Sequence, residues 1–200
     1  KITKIKNRYP YKNFNFSDFN EFFSLISKLP GKYFCIDSST CSVFNESIIK
    51  SKFICKSYVD PCYEMKAIKN QTEIKNMVKT HIYDGVALTK FIYWLKNNKK
   101  FNFTEIDAEK KLEKFRKQNT NYLYPSFNTI AGSGPNSAII HYRANKLSQR
   151  KIKKNDIFLC DSGGQYKYGT TDVTRTLCFN KPPKIIKDIL YLIKEYTNNN

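Results

Sequence analysis

Apolar residues along this chain recur at two periods, and the changes between them mark out the elements. Residues 17–29 repeat at helical spacing, with Phe19, Phe22, Phe23, Ile26 and Leu29 on one face and Asp18 and Glu21 spaced as a capping box. Pro30-Gly31 ends that helix. A short apolar run from Tyr33 to Ile36 predicts a strand, Ser38 to Lys50 a short helix, and Phe53 to Cys55 a second strand. This β-α-β alternation points to an α/β unit. The Asp60-Pro61 step breaks the pattern and leads into a helical connector over 64–70.

From Glu73 to about Asn97 the spacing predicts one long helix, burying Ile74, Met77, Val78, Ile82, Val86, Thr89, Ile92 and Leu95. Thr104, with Asp107 three residues on, caps a second helix whose apolar stripe includes Leu112 and Phe115. After Pro125 the pattern changes to strands, over 126–131, 137–143, 156–162 and 170–179. Pro182-Pro183 then opens an amphipathic helix through Ile185, Ile186, Ile189, Leu192, Ile193 and Tyr196. The Asn tail, 198–200, is expected to fray, and no internal repeat is present.

Composition narrows the class. Phe and Tyr supply 15 and 14 residues and the chain is 40% hydrophobic, which is globular rather than disordered. No apolar run approaches the roughly 18 residues of a membrane span, so no membrane partner is expected. The opening KITKIKNRYPYKNFNF lacks the apolar core of a signal peptide. A net charge of +18 would ordinarily suggest nucleic acid, but the excess comes from 30 Lys against 5 Arg, with 20 Asn and 21 Ile. That is the signature of an AT-rich coding bias, and the lysines are scattered, so a solvated surface is the better reading and no nucleic-acid partner is expected. The six cysteines have no Cys-x-x-Cys spacing, which argues against a disulfide framework or zinc site and for a reducing cytoplasm. Cys35, Cys55 and Cys160 lie in apolar runs, where free Cys acts as a small hydrophobe.

The candidate chemistry lies in 161-DSGGQYKYGTTDVTRT-176. Strand-like residues flank a Gly-containing turn, which reads as a β-hairpin, although Gly163-Gly164 invites a bulge. With a regular turn at Tyr166-Lys167, Asp161 sits directly opposite Asp172, Cβ atoms about 4.5–5.5 Å apart. Two like charges so placed are destabilising unless a cation lies between them, and carboxylate-rich sites suit hard ions such as manganese. Alternation also puts Asp161 on one face with Ile157 and Leu159. The bland reading, a solvated hairpin with two ordinary carboxylates, stands beside this one.

Gly132-Ser133-Gly134-Pro135-Asn136-Ser137 resembles a phosphate loop but is followed by a strand-like run, so it reads as a tight turn between strands. His81, in the long helix, reads as a packing or surface residue. His141, the other histidine, alternates with Ile139 and Arg143 on one predicted strand face; on the residues alone it reads as structural, since one His on a strand proves little.

Four stretches carry a family resemblance: Pro125-Ser126-Phe127-Asn128-Thr129-Ile130; Gly134-Pro135-Asn136-Ser137-Ala138-Ile139-Ile140-His141-Tyr142; Asp161-Ser162-Gly163-Gly164-Gln165-Tyr166; and Gly169-Thr170-Thr171-Asp172-Val173-Thr174-Arg175-Thr176. In this order and spacing they closely resemble Xaa-Pro aminopeptidases (aminopeptidase P, a creatinase/methionine-aminopeptidase-like metallopeptidase family). The resemblance covers roughly residues 60–180 and includes His81-Ile82-Tyr83-Asp84-Gly85-Val86-Ala87-Leu88.

It implies an α/β (α+β) chain: residues 1–68 as the end of a creatinase-type N-terminal α/β domain, and 69–200 as the first half of a pita-bread catalytic domain. It implies two bridged divalent ions, usually manganese, with Asp161 and Asp172 as the first two metal ligands. His141 matches the histidine that lies beside the metals and contacts substrate. The reaction implied is removal of the N-terminal residue from peptides with penultimate proline, by a metal-bridging hydroxide.

One departure stands out. The family's remaining ligands, a histidine and two glutamates, come from the second half of the domain, whereas after Asp172 this chain has no histidine and one glutamate, Glu195. Two carboxylates are too few for two ions that each want about six ligands. A shortened aminopeptidase, inactive alone, is therefore expected, acting on proline-containing peptides only with a complementary C-terminal half or in a homo-oligomer. A non-catalytic pita-bread fragment that binds protein or peptide is the alternative, and a basic nucleic-acid binder a third.

Overall fold

The computed structural model describes residues 16–98 and 102–198, with side chains as far as Ile193 in the closing helix. The last two residues of the Asn tail lie outside this range. The chain forms two compact units, Lys1–Lys69 and Asn70–Asn200.

In the first unit, Asp18 caps a 3-10 turn, Phe19–Glu21, through a bond from Asn20 N–H at 3.0 Å, and helix α1 follows over Phe22–Lys28. Strand β1, Tyr33–Ile36, pairs in parallel with β2, Ile54–Ser57, so the chain must cross over between them. Helix α2, Val43–Lys50, makes the crossover. It begins later than the expected Ser38 because residues 37–40 form a turn on Asp37, and Ser42 caps the helix through Asn45 N–H. Ile26, Ile36, Ile49 and Phe53 form the core. Of the cysteines, Cys55 is half-buried against it, whereas Cys35 is exposed, contrary to its expected place in a core run. Helix α3, Pro61–Ala67, starts with Asp60 as cap and Pro61 in its first turn, where proline's missing N–H costs nothing.

The second unit opens with helix α4, Gln71–Asn97, started by a reciprocal capping box between Asn70 and Glu73. Helix α5, Glu105–Arg116, has the expected box between Thr104 and Asp107. Two three-stranded antiparallel sheets follow. One is ordered β4 (Ile130–Ser133), β5 (Ile157–Ser162), β8 (Val173–Cys178); the other β3 (Tyr122–Pro125), β6 (Gly164–Tyr166), β7 (Gly169–Thr170). Helix α6 spans Lys184–Asn198. Alternation along β5 buries Phe158, Cys160 and Ser162, and Leu88, Phe91, Leu95 and Leu112 share one core with Phe158 and Cys160. Burying one such Leu or Phe side chain contributes about 1.5–3 kcal/mol.

The face of α4 differs from expectation. Thr80, Asp84, Ala87, Leu88, Phe91 and Leu95 are buried, while Ile74, Val78, Ile82 and Val86 are 44, 58, 60 and 51% exposed. Both sets repeat at helical spacing, and the buried one carries Asp84, which Arg116 of α5 meets. Of the expected strand over 126–131 only Ile130 and Ala131 are in a strand, the start of β4; residues 126–129 form a loop, and β3 ends before it at Pro125. The expected strand over 137–143 is absent: Gly134–Ala138 is a 3-10 turn with Pro135 in its first turn, and Ile139 and Ile140 are exposed. His141 is therefore not on a strand face; it lies in a turn with φ +54°, the left-handed region.

Candidate metal centre and the networks beneath it

Asp161 is half-buried on β5, the middle strand of its sheet, with Ile130 of β4 on one side and Thr174 of β8 on the other. It shares its face with Ile157 and Leu159 as alternation requires, but that is the less buried face of the strand. The register corrects the expected opposition of two acids. The turn falls one residue later, at Lys167-Tyr168, with Tyr166 paired to Gly169, so Asp161 faces Thr174 and not Asp172. The Thr174 hydroxyl donates to Asp161 Oδ1 at 2.7 Å. A threonine donor opposite the carboxylate replaces the like charge that direct opposition would have imposed. Asp172 lies two residues before Thr174, one step past the last ladder pair, Ser162–Val173, and is exposed. The two acids are thus diagonal neighbours on one hairpin.

The hairpin is broken where the expected bulge would fall. At Gly163 the chain leaves the β5 sheet for the β6 sheet, and a Cβ there would stand 1.9 Å from the Thr171 carbonyl oxygen and 2.3 Å from Ser126 Oγ. Ser126 stitches this crossing: its N–H donates to the Gly163 carbonyl at 3.1 Å and its hydroxyl to the Thr171 carbonyl at 2.9 Å. Asp172 follows Thr171 directly, so the crossing sets where the second acid sits.

Behind Asp161 lies a buried polar cluster that the hydrophobic pattern did not reveal. Arg116 and Asp84 are each 1% exposed; Arg116 Nε donates to Asp84 Oδ1 at 2.7 Å and one terminal nitrogen to Oδ2 at 3.1 Å. The same nitrogen donates to Ser162 Oγ at 3.0 Å, and the Tyr166 hydroxyl donates to Asp84 Oδ1 at 2.8 Å. Burial works against charge on the guanidinium, but the hydrogen bonds and charge of Asp84 outweigh it and raise its pKa. Burial first, and then Asp84, push the Tyr166 phenol up, so it stays a donor. The cluster ties α4 and α5 to Ser162 and Tyr166, on either side of Gly163-Gly164.

Glu105, at the first position of α5, is also fully buried, and receives bonds from Ser133, Asn136, Tyr142 and Arg150 around the segment that holds His141. His81 is exposed on α4, its Nδ1 2.9 Å from the Met77 carbonyl oxygen.

The residues present do not by themselves fit a pair of metal ions. Among the described residues no three His, Cys, Asp or Glu side chains are grouped to hold one, so His141 does not join the two acids as a ligand set. The hairpin offers two carboxylates, short of what two divalent ions require.

Comparison with known proteins places the chain. The profile of metallopeptidase family M24 matches residues 75–199, more than half of the sequence, and the chain belongs to that family. Within it, the chain is 47% identical over 132 residues to the Xaa-Pro aminopeptidase ApepP of Drosophila melanogaster, covering 65% of this chain and 22% of that protein. It is 49% identical over 125 residues to a probable Xaa-Pro aminopeptidase P of Sordaria macrospora, covering 61% of this chain and 20% of that one. The chain thus spans about a fifth of the length of these curated relatives.

Among solved structures, the X-prolyl aminopeptidase of Caenorhabditis elegans, described as a cytosolic enzyme with a di-nuclear active site, superposes with a TM-score of 0.72 at 28% identity. The match covers 91% of this chain and 31% of that one. The prolidase of Pyrococcus horikoshii shares the fold, with a TM-score of 0.75 at 23% identity over 98% of this chain and 56% of its own. The resemblance to aminopeptidase P and the mixed helix-and-sheet, pita-bread class are as the sequence motifs implied. Among the described residues no helix is long and apolar enough to cross a membrane.

Proposed function

We propose that this chain supplies the two-carboxylate part of a di-metal Xaa-Pro aminopeptidase site, with Asp161 and Asp172 as metal ligands, manganese as the metal and His141 as a substrate contact. The observation that carries this reading is the hairpin of an M24 chain that sets two acids as diagonal neighbours, one of them oriented by Thr174. The substrates are peptides with penultimate proline, the compartment is the cytoplasm, and the remaining ligands come from a complementary polypeptide or from further sequence of the same kind as its relatives. The absence of a three-residue metal group among the described residues supports the view that these 200 residues are inactive by themselves.

The test is hydrolysis of Arg-Pro-Pro with manganese, using folded, soluble chain. No turnover is expected from the 200 residues alone. Turnover should appear when a polypeptide carrying the histidine and two glutamates of the family pattern is added, and should vanish in Asp161→Ala. Calorimetry of the chain alone should show only weak manganese binding. Turnover by the isolated chain, abolished by Asp172→Ala, would overturn the proposal, as would tight binding of two ions lost in Asp161→Ala.

A further inference from the structure

A fully buried carboxylate is tolerated only when its lone pairs are occupied. Those of Glu105 are. Its Oε1 accepts from Ser133 N–H at 2.7 Å and Asn136 Nδ2 at 3.1 Å. Its Oε2 accepts from the Tyr142 hydroxyl at 2.8 Å, Arg150 N–H at 2.9 Å and Asn136 Nδ2 at 3.1 Å. The donors come from the start, the middle and the end of one stretch, residues 133–150. Apart from the 3-10 turn Gly134–Ala138, no helix or strand fixes the path of the stretch between β4 and Arg150. Its far end is held to the same place, since Glu105 N–H donates to the Arg150 carbonyl at 3.1 Å and Thr104 bridges Lys151. Tyr142 also accepts from Asn136 Nδ2 at 2.8 Å, which closes the ring of bonds. His141 precedes Tyr142 directly and is the one non-glycine residue with positive φ among those described.

We propose that Glu105 is a positioning residue for His141. One carboxylate gathers the stretch at three points, and the side chain anchored next to His141, Tyr142, is bound to it directly. With Tyr142 pinned and buried, the exposed imidazole of His141 is presented to one side of a turn that the Tyr142 N–H closes locally on the Ile139 carbonyl at 3.2 Å, and whose place against α5 is set by Glu105. The functional meaning of this arrangement rests on the reading of His141 as a substrate contact; the clamp itself does not.

The experiment compares the 200-residue chain with Glu105→Gln, labelling the histidine ring carbons for NMR and following amide hydrogen exchange. The two histidines are told apart by His81→Gln. The Gln variant turns one acceptor oxygen into a donor facing other donors. The single His141 cross-peak should be lost to broadening or multiplicity while that of His81 is unchanged. Exchange at the Ser133 or Arg150 amide should accelerate roughly tenfold or more, as befits loss of a bond to a charged acceptor. Asp107→Asn disturbs the cap of the same helix without touching residues 133–150, and should leave His141 as it was. If Glu105→Gln does not fold, Tyr142→Phe, which removes the hydroxyl's bonds to Glu105, Asn136 and the Ser148 carbonyl and keeps the carboxylate, should shift or split the His141 peak, and Ser148→Ala, which keeps that carbonyl and the bond to Glu105, should not. An unchanged His141 peak in folded Glu105→Gln or Tyr142→Phe, or an equal change in Asp107→Asn or Ser148→Ala, would overturn the proposal. Should His141→Ala leave hydrolysis by a completed site intact, the role given to His141 falls while these readouts stand.

Discussion

Arg116→Ala should destabilise the C-terminal unit by about 3–5 kcal/mol, the range for removing one partner of a buried ion pair. The guanidinium reaches both oxygens of Asp84 and the hydroxyl of Ser162, and both charged residues are 1% exposed. Its removal leaves a buried carboxylate with the Tyr166 hydroxyl as its remaining partner, and leaves Ser162, beside Asp161, without its guanidinium. A domain's whole stability is about 5–15 kcal/mol, so the loss takes a large share of it. Urea unfolding should show a lower midpoint with little change in slope. The double replacement Asp84→Leu with Arg116→Met should recover much of the loss, since apolar residues of similar volume can replace a buried pair at little cost. A loss under about 1 kcal/mol for Arg116→Ala, the worth of a surface pair, would show that the cluster is solvated and that its assigned role is wrong.

Gly163→Ala should cost about 3 kcal/mol, the upper end for overpacking, because the added methyl would meet backbone that cannot swing aside. The carbonyl oxygen of Thr171 would lie at 1.9 Å, and Ser126 Oγ, already bonded to that carbonyl, at 2.3 Å. Relief requires the β7–β8 link to move, and Asp172 moves with it. Gly85→Ala supplies the contrast. Gly85 is inside α4 and a Cβ there meets nothing within 4 Å, so alanine should stabilise by about 0.5–1 kcal/mol through helix propensity and the entropy of the unfolded chain. Denaturant midpoints of the two variants should therefore move in opposite directions. A Gly163→Ala protein as stable as the parent would mean that the crossing between the sheets has more room than the structure shows.

What was legible in the sequence was local chemistry. Thr104 with Asp107 declares itself because the partners are neighbours in sequence, and the Tyr33–Ile36 strand because its apolar run is short and ended by Asp37; the helix after Asp60 starts at Pro61, three residues before the expected 64. The acid pair was legible as a hairpin, but its register depended on whether the turn sat at Tyr166-Lys167 or one residue on, and each step of the turn moves the pairing by two. The buried face of α4 was not legible, because Ile74, Val78, Ile82 and Val86 make a helical stripe as good as the one that is buried. Polar Thr80 and Asp84 count against their own face until Arg116 is known to arrive there. One signal was available. In a chain with 30 Lys and only 5 Arg, an arginine standing where lysine is the default marks a planar, two-pronged contact, and Arg116 makes one. The alternating residues after Pro135 mimic a strand, whereas His141 lies in a turn closed by Tyr142 N–H on the Ile139 carbonyl, next to a Tyr142 hydroxyl held by Glu105, far off in sequence.

The hairpin and the Glu105 clamp differ in how far along the chain their partners lie, and that orders their assembly in time. The Thr174–Asp161 bond spans 13 residues and the ladder around it closes outward from the Lys167-Tyr168 turn. The bonds of Glu105 to Ser133, Asn136 and Arg150 span 28, 31 and 45 residues. Closing the longer loops costs more chain entropy before any contact repays it. Pulse-labelled hydrogen exchange during refolding should therefore find the β5–β8 amides protected before that of Arg150, and simultaneous protection would contradict this order. A folding chain would then pass through a stage with both acids in place and the histidine still wandering.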